Sequence, residues 1–201
     1  MPARSQTTTK RSDLIEIASR LFYQQGYGAT GIKQIIEEAG IAKGTFYTHF
    51  TSKEELGLAW LRDRHQRWTS WLAAEIDQLE SPGKKIIGTF GFLATWMKDA
   101  DYRGCAFINT CAETPDSNSP LRKEVESHKR GLHQMFQNLA LQHSGFTDPS
   151  ATGKKADAAR HAGSVLYILF EGSLLEAQIF REPWPIQAAQ SNAETMLASP
   201  L

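Results

Sequence analysis

Between Lys43 and Phe50 the chain places Lys43, Gly44, Thr45, Tyr47, Thr48 and His49 around two phenylalanines, Phe46 and Phe50. At helical spacing the phenylalanines fall on one side, suited to a core, and the polar residues point away from it. Ammonium, hydroxyl, phenol and imidazole groups at this density are hydrogen-bond donors, which phosphates and base edges require. The chemistry implied is recognition of a DNA duplex.

A helix so short has to be held by its neighbours. Ile32, Ile35, Ile36 and Ala39 form an apolar stripe that predicts a helix from Ile32 to Ala39. Gly40 then supplies a left-handed exit, and Ile41 can pack back onto the helix end. The next helix, Ala42 to His49, therefore leaves at a steep angle, as in a helix-turn-helix. A preceding helix, Lys10 to Gln25, buries Leu14, Ala18, Leu21 and Phe22, stops at Gly26 and gives the third support. Ser52 with Glu55 three residues on spells a capping box for a fourth helix. That helix is expected to run to about Glu80, where Ser81, Pro82 and Gly83 break it. Its stripe of Leu61, His65, Trp68, Leu72, Ile76 and Leu79 carries it out of the head and into the core beyond, like a lever. Lys53 beside its N-terminus makes a ready phosphate site.

The segment GYGATGIKQIIEEAGIAKGTFYTHFTSKEEL, residues 26–56, resembles the DNA-binding domain of the TetR family of bacterial transcriptional regulators. The family's recognition-helix pattern of Lys, Gly, Thr, apolar, Tyr, any residue, His, Phe reads without a gap from Lys43 to Phe50. By this resemblance Lys43, Thr45 and Thr48 face the major groove, Tyr47, His49 and Lys53 meet phosphates, and Gly44 and Thr30 complete the DNA-binding set. Two positions depart from the family. Gly31 stands where a capping threonine or serine is usual, and Ala42 where serine is common. Each lacks a hydroxyl, and the departure at Gly31 puts a phosphate contact at that position in question. Glycine still caps to within a few tenths of a kcal/mol of serine or threonine.

The rest of the chain reads as further helices. No proline lies between Pro2 and Pro82, and no strand-like alternation bounded by hairpin turns occurs. Helices are expected at Lys84–Lys98, Gly104–Glu113 and Pro120–His143, with loops at DADYR and TPDSNSP. A long eighth follows from Thr152 to Phe180, apolar on nearly every side between Val165 and Ile179. After the REPWP break, a ninth carries Ile186, Ala189, Ala193 and Met196. The fold class expected is all-α, with about nine helices: a three-helix head over residues 1–52, joined by the long fourth helix to a bundle over 53–201.

The resemblance implies a ligand-binding and dimerisation role for that bundle, with the last two helices pairing against their twins. It also implies a homodimer on a palindromic double-stranded DNA operator, release by a small-molecule effector, and repression as the commonest mode. No cofactor is implied. Two short recognition helices about 34–36 Å apart, or a multiple of that, would read the two half-sites. Without the resemblance, the last two helices could equally be internal core.

Charge distribution fits a DNA partner although the chain is neutral overall. Residues 1–53 hold seven Lys and Arg against four Asp and Glu, an excess of three, leaving minus three for the remainder. A modest excess favours a few placed phosphate contacts over a generally basic surface. The N-terminal MPARSQTTTKR has no apolar core of a signal peptide, and the longest apolar run, Val165–Phe170, is too short for a bilayer. A cytoplasmic location without membrane contact is expected, with Cys105 and Cys111 as reduced thiols.

Candidate effector-binding residues are Trp96, Phe107, Tyr167 and Phe170, with Phe90 and Phe92, and Asn109 and Glu171 as polar groups. Ordinary core is the competing explanation for the aromatics. Glu171 interrupts an apolar run, where a carboxylate is costly unless paired with a cation, a hydrogen bond or a ligand. Cys105 follows Arg103 and Gly104 at a helix start, which would stabilise a thiolate and suit a sensor of electrophiles or oxidants. The other explanation is a small buried hydrophobe. Cys111 lies about 600 degrees of helical turn further on, off the face of Cys105.

An enzyme finds little support. The six histidines include no pair at i, i+4, no metal site is expected, and there is no phosphate-cradling glycine loop or serine elbow. His128 and His133 are expected to be solvated on a polar helix. A helical protein-interaction module that ignores DNA is the other alternative.

Overall fold

The computed structural model describes residues 11–198. The polar N-terminal segment and the expected helix start at Lys10 lie outside them. Among the described residues there are nine helices and no strand: α1 Arg11–Gln25, α2 Ile32–Ala39, α3 Lys43–His49, α4 Lys53–Ile76, α5 Pro82–Asp99, α6 Ala106–Glu113, α7 Pro120–His143, α8 Lys154–Phe180 and α9 Trp184–Ala198. They form two compact units: residues up to His65 with Ala106–Val125, and Gln66–Cys105 with Glu126 onward. Helices α4 and α7 contribute to both.

In the first unit, Leu14, Ala18, Leu21 and Phe22 of α1 are buried, as their spacing predicts. They meet Ile35 of α2, Phe46 and Phe50 around α3, and Leu56, Trp60 and Leu61 of α4, all buried. Phe22 lies 5.1 Å from both the Tyr27 and the Trp60 rings. Trp60 is absent from the stripe read for the fourth helix, because that helix buries different faces in the two units. Segment 106–125 packs with this head although it follows the head in sequence by forty residues or more. Glu124 pairs with Arg62 at 3.0 Å, Ser119 Oγ donates to Glu54 at 3.2 Å, and Gly28 N–H donates to Glu113 at 2.5 Å.

In the second unit, Phe90, Phe136 and Phe170 form the centre, with ring separations of 5.5–6.5 Å. Gly163 brings α8 hard against α7, since a Cβ there would lie 2.6 Å from Gln137 Cα. Residues Asp77–Leu79 form a turn rather than the end of α4, with Leu79 N–H bonded to Ile76 O at 3.0 Å. Leu79 still packs inward, against the bare backbone of Gly88, where a Cβ would approach within 2.5 Å. Ser81 and Pro82 start the next helix: Ser81 Oγ caps the Lys84 N–H and Pro82 occupies N1, where its missing N–H costs nothing. By the same logic α9 begins inside the REPWP segment, at Trp184. Among the described residues α8 alone has the length and apolarity of a membrane span. Its inner face, from Ala156 through Leu166 and Phe170 to Ala177, is buried in this unit.

Candidate nucleic-acid interface and bundle site

Helix α2 ends as its sequence dictates. Gly40 adopts φ 63°, and its N–H bonds to Glu37 O while the Ile41 N–H bonds to Ile36 O, a Schellman closure. Ion pairing of Arg20 with Glu38 ties α1 to α2. Neither Gly31 nor Ala42 gives a side-chain cap, so α2 and α3 both begin without one. Helix α3 is anchored by Phe46 and Phe50, 0% and 1% exposed and 6.1 Å apart, with Arg11 stacked 4.5 Å over Phe50. Lys43, Gly44, Tyr47 and Thr48 are exposed, and Thr45 and His49 half-exposed. Tyr47 is 44% exposed, held edge-on by Phe46 at 5.2 Å. Thr48 Oγ1 donates back to Thr45 O at 2.7 Å, which fixes its methyl and hydroxyl on the outer face.

Thr30 differs from its expected role. It is fully buried and its hydroxyl donates to Gly26 O at 2.8 Å, so it closes the loop before α2 and offers no side chain to a duplex. The start of α4 also differs in detail. Ser52 Oγ caps the Glu55 N–H at 3.1 Å, while Glu55 reaches back one residue further, to the Thr51 N–H and hydroxyl at 2.7 and 2.8 Å. Those two bonds hold the Glu55 carboxyl below its ordinary value. Lys53 lies 4.3 Å from the Tyr27 ring centroid and 3.3 Å from Gly28 O, half-buried beside α3.

Of the residues expected to line an effector site, Trp96, Cys105, Tyr167, Phe170 and Glu171 lie in the second unit, whereas Phe107 and Asn109 belong to the first. Cys105, Tyr167 and Glu171 gather around a residue that pattern reading missed, Lys129. Its Nζ donates to Glu171 Oε2 at 2.5 Å and lies 3.6 Å from Cys105 Sγ. Burial works to lower the Lys129 ammonium, but the Cys105 sulfur and Glu171 outweigh it and hold it above its ordinary value. Burial and the Glu171 charge push the Tyr167 hydroxyl up to about 12. Phe170, 1% exposed among Phe90 and Phe136, is core.

Trp96 belongs to a second cluster, with Trp68 edge-on to Trp96, Phe92 and His128 at 5.6, 5.3 and 5.7 Å. His128 is 4% exposed, not solvated. His133 is half-buried and shares a 2.8 Å hydrogen bond with Ser164. Their neighbours on α7 looked polar because that helix alternates a wet face with one packed on α8. Buried polar atoms in this unit without a hydrogen-bond partner include Trp68 Nε1 and Glu171 Oε1. Both cysteines are free; Cys111, in the first unit, receives Arg122 Nη1 on its sulfur at 2.6 Å.

A three-helix head whose last short helix turns its polar side to solvent defines a helix-turn-helix DNA-binding protein. Residues 14–59 match the family model described as bacterial regulatory proteins, tetR family. The HTH-type transcriptional repressor NemR of Escherichia coli is 26% identical over 199 residues, covering 94% of each chain. In fold, a TetR-family regulator from Streptomyces coelicolor superposes with a TM-score of 0.81 at 24% identity, over 94% of each chain. The reduced form of E. coli NemR gives 0.78 at 22%, over 94% of this chain and 98% of that one. Residues 14–59 therefore carry the DNA-binding domain of the tetR family of bacterial regulatory proteins, and over nearly its whole length the chain is similar to a TetR-type repressor.

Proposed function

We propose that this chain is a ligand-responsive repressor that binds a palindromic DNA operator as a homodimer and leaves it when a small molecule occupies the second unit. The observation that carries this reading is α3 itself: exposed Lys43, Gly44, Tyr47 and Thr48 mounted on buried Phe46 and Phe50. Lys43, Thr45 and Thr48 are assigned to base edges, and Tyr47, His49 and Lys53 to phosphates. DNA reading is assigned to residues 1–52, and effector binding and dimerisation to 53–201. The protein would act in the cytoplasm, and by regulation rather than catalysis.

One α3 covers only a few base pairs, so specific binding calls for two. The outer face of α8 supports self-association: Ile168, Leu175 and Ile179 are 66%, 42% and 62% exposed, with Phe180 and Trp184 beside them at 50% and 48%. A surface this apolar is costly in water and suits a two-fold contact with a second copy. For the effector, the unpartnered Trp68 N–H and Glu171 oxygen offer one donor and one acceptor in a largely apolar unit.

A second reading has its own observation, the Lys129 ammonium 3.6 Å from Cys105 Sγ. A cysteine sulfur beside a cation is a candidate nucleophile toward electrophiles such as quinones. On this reading the effector modifies Cys105, and Cys105→Ser abolishes release by quinones or maleimides.

The test is a gel shift with DNA from upstream of the chain's own gene. Specific retardation that a co-purifying small molecule reverses supports the regulator. No retardation at any upstream fragment contradicts it and favours a protein-interaction module.

A further inference from the structure

Glu113 ends α6 with its carboxylate lying over the loop that leads from α1 into α2. The Gly28 N–H donates to Oε2 at 2.5 Å, and a Cβ on Gly26 would meet Oε1 at 2.8 Å. Gly26 itself sits at φ 103°, so the loop is shaped around the carboxylate by residues without side chains. Across the same loop, Lys53 Nζ bonds to Gly28 O at 3.3 Å and stacks on Tyr27 at 4.3 Å. Burial lowers the Lys53 ammonium, and the Glu113 charge pushes it back up, so the two side chains sense one another.

A free backbone N–H and an ammonium at the first turn of a helix are the groups that a DNA phosphate engages. Here an internal anion already holds the Gly28 N–H, and its charge acts on the Lys53 ammonium across the same loop. We propose that Glu113 competes with an operator phosphate for Gly28 N–H and Lys53, and so sets the protein's affinity for DNA. The inference rests on Lys53 being a phosphate contact. Glu113 acts through the Gly28 N–H and Lys53 and touches no base, so it tunes strength without altering sequence preference. Its removal trades an intramolecular hydrogen bond and a nearby charge for contacts with the phosphate. Because both are exposed enough to be screened, the effect is modest and salt-dependent.

Glu113→Gln keeps an acceptor for the Gly28 N–H and removes the charge. Glu113→Ala removes both, and is made alongside so that either variant decides if the other folds poorly. Operator affinity of each is expected to rise about three- to fivefold at low salt, with the gain fading as salt increases. In a Lys53→Ala background the gain shrinks, since only the Gly28 N–H is then left for the phosphate. Unchanged or weakened binding by the folded variants overturns the proposal and makes Glu113 a structural tie. A gain that keeps its full size in the Lys53→Ala background also overturns it, as a general charge effect. If Lys53→Ala alone leaves affinity and salt slope untouched, the phosphate assignment of Lys53 is what fails.

Discussion

Lys129 Nζ lies 2.5 Å from Glu171 Oε2, with only 18% and 17% of the two side chains exposed. Separating such charges in a largely apolar unit leaves the survivor without compensation. Glu171→Leu or Lys129→Met alone should therefore cost about 3 kcal/mol in denaturant unfolding at neutral pH. The double variant should recover most of that loss, because two apolar residues of similar volume satisfy one another. The ammonium is held above its ordinary value, so the stability it contributes is complete below the unfolded lysine value and vanishes as pH rises through the folded one.

Two tyrosines should ionise late. Burial, reinforced by Glu54 for Tyr27 and by Glu171 for Tyr167, raises both hydroxyls from an ordinary 10.0 to about 12. A raised acid stabilises the fold fully below its unfolded value and ceases to do so between about 10 and 12. Ultraviolet titration should resolve a late component that shrinks by one group in Tyr27→Phe and by one in Tyr167→Phe. Late ionisation retained in both variants would contradict the environments described.

Much of the head was legible because local chemistry decided it. The stripe of α1, the glycine exit of α2 and the paired phenylalanines of α3 each follow from spacing that only one arrangement satisfies. Helix ends were harder. Ser81 and Pro82 read as a break and act as cap and first residue, because Pro punctuates a helix start as readily as an end. Thr30 occupies a family position, yet its hydroxyl turned inward once Gly26 presented a carbonyl. Lys129 stayed hidden because a lysine on a polar-looking helix gives no signal until its partner, 42 residues away, is packed against it. For the same reason segment 106–125 could not be assigned to the head: what binds it there are long-range pairs such as Arg62 with Glu124.

The outer face of α8 should govern assembly. Ile168→Glu with Ile179→Arg places two charges on a stripe that is 66% and 62% exposed at those positions. Folding should change by less than about 1 kcal/mol, as for other surface sites. Sedimentation velocity should nevertheless show monomer where the parent is dimer, and affinity for a palindromic operator should fall by well over tenfold. A variant that stays dimeric would move the interface elsewhere.

Base reading by α3 is tested most directly by fluorescence anisotropy titrations of the operator and its single-base variants. Thr45→Ala should flatten the preference among variants by about 1–3 kcal/mol at the bases it meets. Tyr47→Phe and Lys53→Ala should weaken every sequence alike, Lys53→Ala also lowering the salt slope by about one. Should Thr45→Ala bind all variants with the parent's ranking intact, α3 is not the reading element and the assignment of its residues is wrong.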